Sequence, residues 1–451
     1  MEQDRCSCSS PQPSTAKMSA RSLLLASAAS LIATAAARPG QAVSARQATG
    51  ASIPTVHIPL GFNFKVTTTL SLPWDNRSIE LVFDTGSENF WVFGPNSTTN
   101  WGCTGLLCPG PCNASVTNFY DWPNSPTAAK PPQPFNSFYA YGAYTKFVTG
   151  DMAINDTFTF TSPGGGGGSS STVPNVRVAV ENYMSQRRGV GQGGCATGAG
   201  SYDLGILGAS PFYRKSDWNT TGPHVRQELL GRGAIGAPVQ SIWFDEPPAR
   251  WDGTFTGSAV FGGIDRSKFS GPLVKVPVLE NDGLGASVGY FVAQPNVSVG
   301  GVTLPRGKLV TGVCHLDTGT TADDLPVVHD DFARALNLTR NEFGNTVWPG
   351  DCDTIPLDKT FELTFPAAPG QAHDSVTISV PLRHYARPGA DRTPGLCTLW
   401  IDTGGCMLSA PFAAASYFAA DDAAGEVALA QGGVSKAGSG PDASAMALTI
   451  A

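Results

Sequence analysis

The sequence predicts an all-β protein built as two related halves that face each other across a cleft. Composition is the first reason: of 451 residues only 14% are charged, while 52 are Gly and 35 are Pro. That balance favours short strands and many turns over long solvated helices. The second reason is a repeated unit. The apolar run Leu81-Val82-Phe83 delivers Asp84 into a Thr85-Gly86 turn before Phe90-Trp91-Val92, and Val313-Cys314-His315-Leu316 later delivers Asp317 into Thr318-Gly319. The third is the closure of each unit by an apolar pair and a small residue. Ile206-Leu207-Gly208 ends 124 positions after Asp84, and Met407-Leu408-Ser409 ends 92 after Asp317.

In chain order, residues 1–37 read as a leader. From Met18, a single Arg21 precedes the Ala/Leu/Ser run Ser22 to Ala37, a secretory-signal pattern with cleavage near Arg38. The run falls short of the ~20 apolar residues that span a bilayer, so no membrane is expected for the mature form. Residues 38–54 have no apolar period and read as a short processed or disordered segment. Residues 55–240 form the first half. Its strands are Phe64 to Leu72, Ile79 to Phe83, Thr157 to Thr161, Val176 to Val180 and Asp203 to Gly208. Residues 94 to 135 read as a long Pro/Asn/Cys loop region, and the aromatics around Tyr141-Gly142 as a β-hairpin with a mobile tip. The Gly164 to Ser171 tract reads as a flexible surface loop. Residues 241–432 repeat the plan with strands Ser241 to Phe244, Ser258 to Phe261, Leu273 to Val278, Tyr290 to Val299, Phe361 to Phe365 and Val376 to Leu382. Helical signals are few: Pro223 to Arg232, and Pro326 to Leu338 with Pro at its first turn. The Gly/Ser/Ala-rich residues 433–451 read as a disordered tail.

The formal net charge of −7 and the lack of a basic cluster argue against a nucleic-acid partner. Outside the leader stand eight cysteines, at positions 103, 108, 112, 195, 314, 352, 397 and 406. An even number in an exported chain points to disulfides. The spacing of Cys103, Cys108 and Cys112 is not that of a zinc site, so no metal or cofactor is expected. Seven N-x-S/T sequons at Asn76, Asn96, Asn113, Asn155, Asn219, Asn296 and Asn337 fit a glycoprotein.

Two carboxylates within hydrogen-bond reach cannot both ionise comfortably, so they share a proton. The ionised partner can then take a proton from a water while the protonated one donates to a carbonyl oxygen. A third Asp-Thr-Gly, Asp402-Thr403-Gly404, has only 49 residues behind it, too few for another half, and reads as a decoy. Gly285-Ala286-Ser287-Val288-Gly289 fits a nucleophile elbow, but a strand rather than a helix follows it. Gly189, Gly191 and Gly194 fit a dinucleotide loop that lacks its helix.

Asp84-Thr85-Gly86-Ser87 with Asn89-Phe90-Trp91-Val92, then Tyr141-Gly142, Ile206-Leu207-Gly208, Asp317-Thr318-Gly319-Thr320 and Met407-Leu408, resemble the landmarks of the pepsin-like aspartic endopeptidases, in order, over about residues 55 to 432. The resemblance implies a bilobal pepsin-like fold with a few short helices, and Asp84 and Asp317 as the catalytic pair. Thr85, Gly86, Ser87, Thr318, Gly319 and Thr320 would support the two turns. Tyr141 and Gly142 would lie on a flap over the cleft, with Trp91 as the hydrogen-bond partner of Tyr141. It further implies disulfides Cys103–Cys108 and Cys352–Cys397, a protein or peptide substrate, an extracellular location and a monomer without cofactor. Cys112, Cys195, Cys314 and Cys406 are extra, and their pairing stays open.

Departures from the family pattern define the alternative, a catalytically silent pepsin-like binding or inhibitor protein. Glu88 adds a carboxylate next to the first turn, Tyr144 and Lys146 replace small residues at the flap tip, and Ser409 puts a side chain where the second closure has Gly. The stretch between the leader and the first strand is too short for the family's inhibitory prosegment.

Overall fold

The computed structural model describes residues 53–63, 65–100, 113–142, 145–163, 170–186, 204–211, 218–247, 255–279, 288–308, 311–342, 344–387 and 395–450. The leader, most of residues 38–54, Cys103, Cys108, Cys112, Tyr144, the Gly164 tract, Cys195 and the motifs at 189–194 and 285–287 lie outside them.

Strands dominate. The first half holds β1 (Val56–Asn63), β2 (Lys65–Leu72), β3 (Arg77–Asp84), β4 (Phe90–Asn100), β5 (Asn113–Ser115), β6 (Gln133–Tyr141), β7 (Lys146–Thr161), β8 (Ser171–Gln186) and β9 (Gly205–Gly208). It also holds the helices α1 (Trp218–Thr221) and α2 (Val225–Gly231). Next come β10 (Val239–Phe244), β11 (Phe255–Phe261), β12 (Ile264–Asp265), β13 (Ser270–Val276), β14 (Tyr290–Ala293), β15 (Asn296–Val299), β16 (Val302–Thr303), β17 (Val313–Leu316) and β18 (Asp323–Leu325). After α3 (His329–Leu336) follow β19 (Thr339–Arg340), β20 (Thr346–Trp348), β21 (Thr360–Pro366), β22 (Ser375–Pro381), β23 (Cys397–Thr398), β24 (Ile401–Thr403) and β25 (Met407–Leu408). The chain closes with α4 (Ala410–Ala415), β26 (Ser416–Asp421), β27 (Glu426–Gln431) and β28 (Met446–Ala447).

One sheet runs through both halves. Among the described residues it has 14 strands, ordered β13-β27-β26-β10-β11-β1-β2-β3-β9-β4-β8-β7-β6 with β5 on β4. The expected boundary between residues 240 and 241 therefore falls inside β10, which pairs with β11 and β26. Strand β1 pairs with β11 over seven residues, binding the start of the first half to the second. Smaller sheets, β14-β17-β25-β18-β24 among them, carry the second acidic turn. Alternation explains the layers: on β3, Ile79, Leu81 and Phe83 enter the main core, while Val82 turns to a second cluster with Trp91, Phe135, Tyr139 and Ile206.

Several sequence expectations shift. Strands expected at Thr157 to Thr161 and Val176 to Val180 are the end of β7 and the middle of β8, 16-residue ribbons paired along most of their length. The expected strand Tyr290 to Val299 is broken into β14 and β15 at Gln294-Pro295, where Pro offers no ladder donor. The helix expected from Pro326 begins only at His329, because Val327 and Val328 donate their N–H groups to Leu325 and Pro305 at 2.8 and 3.0 Å. It ends on Asn337 in the left-handed region, φ 57°, a conformation Asn tolerates.

The tail departs most. Residues 433–450, expected to be disordered, are packed: β28 pairs with β12, and the Asp442 N–H donates to Asp265 at 2.6 Å. Ile450 is buried with Trp243, Val260 and Tyr417. A Gly/Ser/Ala composition has no periodicity to announce such contacts, which a few anchors make. No helix among the described residues is long and apolar enough to cross a membrane. Ile450→Ala is expected to cost about 2 kcal/mol or more in denaturant unfolding, whereas a frayed tail would show no change.

Candidate active site

Asp84 sits on the last residue of β3, whose neighbour β9 runs parallel with Asp84 opposite Gly208. Asp317 follows β17, whose neighbour β25 also runs parallel, and its N–H donates to Leu408 O at 2.8 Å. Each carboxylate is held by its own turn. Gly86 N–H donates to Asp84 Oδ1 at 2.8 Å and Ser87 Oγ to Oδ2 at 2.6 Å. Gly319 N–H donates to Asp317 Oδ1 at 2.9 Å and Thr320 Oγ1 to Oδ2 at 3.0 Å.

The threonines lock the turns together. Thr85 N–H donates to Thr318 Oγ1 and Thr318 N–H to Thr85 Oγ1, both at 3.0 Å. Each hydroxyl then donates across to the opposite strand, Thr85 to Leu316 O at 2.9 Å and Thr318 to Phe83 O at 2.7 Å. The glycines let the pair close up. A Cβ on Gly86 would lie 2.6 Å from Asp317 Cγ, and one on Gly319 would lie 2.5 Å from Asp84 Cγ. Burial, the charge of Asp317 and a carboxyl–carboxyl hydrogen bond push the Asp84 carboxyl well above the ordinary range, against the lowering donors Ser87 and Gly86. Such a pair retains a proton that a lone aspartate would lose.

The β6–β7 hairpin stands beside this pair, with Tyr141 paired to Lys146 and Gly142 at φ 56° in its turn. Trp91 Nε1 donates to the Tyr141 hydroxyl at 2.7 Å. Burial raises the Tyr141 phenol, with the Asp84 charge among the smaller contributors. The Lys146 ammonium lies 5.4 Å from the Trp91 ring and 5.7 Å from the Tyr141 ring, a cation–π arrangement.

Residues 67–432 match the eukaryotic aspartyl protease family. The chain belongs to that family. Among its relatives, a probable aspartic-type endopeptidase, opsB, of Aspergillus oryzae is 28% identical over 266 residues, 57% of this chain and 46% of the relative. Pepsin B of Canis lupus familiaris is 24% identical over 340 residues, 74% of this chain and 70% of the relative. Secreted aspartic protease 6 of Candida albicans is 27% identical over 307 residues, 65% of this chain and 61% of the relative. The chain thus spans from about half to 70% of the length of these relatives.

In this family member, Ser409 is engaged away from the pair. Ser409, expected to place its side chain near Asp317, donates its N–H and its hydroxyl to Asp323 Oδ1, both at 2.6 Å. Asp323 also accepts from the Tyr385 hydroxyl at 2.5 Å, and burial lifts its carboxyl to about 6. Glu88 is half-buried, which raises it, and its charge reaches Tyr139. Asp402 is exposed on β24, opposite Asp324, and the structure does not bring it to the other two acidic turns. The disulfide Cys352–Cys397 is present, and the pairing left open for two other cysteines is Cys314–Cys406, joining β17 to β25 at a Cα separation of 4.6 Å. Six sequon asparagines are exposed; Asn155 is half-buried with its Oδ1 sealed from solvent.

Sequence reasoning missed Asp323, Glu181 and Lys65: Glu181 and Lys65 are lone charged residues in strands, and Asp323 stands beside Asp324 just past the second acidic turn with no pattern that marks it as buried. Glu181 of β8 is fully buried beneath the hairpin. Its Oε2 accepts from Ser137 of β6 at 2.6 Å, its Oε1 has no partner among the described residues, and burial lifts it to about 7.

Two outcomes follow from these contacts. Thr318→Val leaves the Thr85 N–H and Phe83 O without their buried partner, and is expected to lower stability by about 2–4 kcal/mol in denaturant titration. Glu181 keeps its proton in the fold after the unfolded chain has lost it. Its contribution is therefore complete below pH ~4.5 and is lost as pH rises through about 7. Glu181→Gln is expected to flatten the decline in melting temperature over that window.

Proposed function

We propose that the protein is a secreted aspartic endopeptidase that hydrolyses peptide bonds at acidic pH, with Asp84 and Asp317 as its catalytic pair. The observation that carries this reading is the pair itself, two hydrogen-bonded carboxyls with one glycine from each turn making room for them. The raised Asp84 carboxyl supports its role as holder of the shared proton. The ionised partner takes a proton from a water, whose oxygen adds to the substrate carbonyl carbon while Asp84 donates to the carbonyl oxygen. Collapse of the tetrahedral intermediate breaks the C–N bond and returns the proton to the departing amine.

Thr85, Gly86, Ser87, Thr318, Gly319 and Thr320 hold the geometry, and Tyr141 and Gly142 cover the peptide with Trp91 fixing the tyrosine. The substrate is a protein or peptide, and the enzyme acts as a monomer with lobes 55–240 and 241–432. The leader pattern and relatives named as secreted support export. The silent-protein alternative loses support because Ser409 is engaged by Asp323.

Purified protein is expected to cleave denatured protein at pH 3 to 5 and to be blocked by a pepstatin-type inhibitor. Asp84→Asn and Asp317→Asn should each lower kcat/KM by about 1000-fold or more with little change in fold by circular dichroism. Inhibitor-insensitive cleavage, or unchanged cleavage in Asp84→Asn, would sink the proposal.

A further inference from the structure

We propose that Lys65 is a specificity-determining residue of the cleft, an ammonium that receives a carboxylate of the bound peptide, namely an internal Asp or Glu side chain. The inference rests on the endopeptidase reading above and deepens it.

Position is the first argument. The β2–β3 ladder pairs Thr67 with Val82, and continued by two residues it sets Lys65 opposite Asp84. Cross-strand partners project from the same face of a sheet. Lys65 therefore leaves the sheet on the side of Asp84 and Val82, the face that Val82 shares with Trp91 and on which Tyr141 packs.

The second argument is charge. Burial disfavours the Lys65 ammonium, and the carboxyls of Asp84 and Asp317 are the groups that favour it. Neither makes an ion pair with it; among the described residues Lys65 has no salt-bridge partner, whereas Lys275 pairs with Glu426 at 2.9 Å. Lys146, across the hairpin, is occupied by the Trp91 and Tyr141 rings. Glu88 is not among the charges that act on Lys65, and its own charge is felt at Tyr139. The Asp pair attracts the ammonium through space, but its oxygens are engaged by the donors of their own turns. A mostly buried cation with no ion pair among the described residues binds a carboxylate more strongly than a solvated lysine does.

The test is binding of fluorescent, uncleavable statine-type peptides with amidated C-termini, identical except for Glu or Gln at each position in turn, followed by anisotropy at pH 5.5 and pH 2.5. At one position Glu is expected to bind about 10-fold more tightly than Gln at pH 5.5. The gap should close at pH 2.5, where a glutamate of ordinary pKa ~4.3 is protonated. Lys65→Met should abolish it, Lys65→Arg keep it and Lys65→Glu reverse it in favour of Lys, with folding of each variant checked by circular dichroism. A matched neutral peptide with a free C-terminus identifies terminal-carboxylate capture; a preference there alone overturns the internal-side-chain proposal. So does the absence of any Glu preference, or one that survives Lys65→Met. A Lys65-dependent preference in a protein that cleaves no peptide would leave this inference standing while removing the endopeptidase reading.

Discussion

The structure depends most on the reciprocal hydrogen bonds of Thr85 and Thr318. Each threonine accepts from the other's N–H and donates to the strand behind the other's turn. Four buried bonds thus join two segments more than 230 positions apart in sequence. Because they are short and water is excluded, a shift in one turn is passed to the other. This is how two carboxyls that repel when ionised are held in contact.

The supports around that clasp are built differently on the two sides. Behind Asp84, β9 closes with Gly208, which a Cβ would drive to within 2.5 Å of the Glu88 backbone. Behind Asp317 the corresponding position is Ser409, and the extra side chain is absorbed by Asp323 and Tyr385. The Cys314–Cys406 disulfide then ties β17 to β25 beside the same turn. A serine that looks like damage to the motif is part of a buried polar network, satisfied on both oxygens of Asp323.

Acid suits this molecule beyond its chemistry. Asp84, Glu181 and Asp323 are all buried carboxyls whose protonated form the fold prefers. Each binds its proton more tightly when folded than when unfolded, so folding and proton retention favour each other at low pH. Glu181 lies under the hairpin that carries Tyr141, so the same preference acts on the cover of the cleft as on its floor.

The sequence by itself determined the all-β class, the two acidic turns and their closures, because each rests on local grammar: apolar runs of strand length and a Thr-Gly turn; the Trp91–Tyr141 contact was legible only through the family resemblance. The separation of Asp402 from the pair was also legible, from the chain left behind it. Only the tertiary structure decided what depends on residues distant in sequence or without a pattern. The tail packs through Ile450 and one short strand that composition cannot announce. The join at residues 240 and 241 lies within β10, inside a sheet continuous through both halves. Ser409 turns to Asp323, and Lys65 faces Asp84, because of strand register, which brings a lone side chain to a partner that nothing in its own segment predicts.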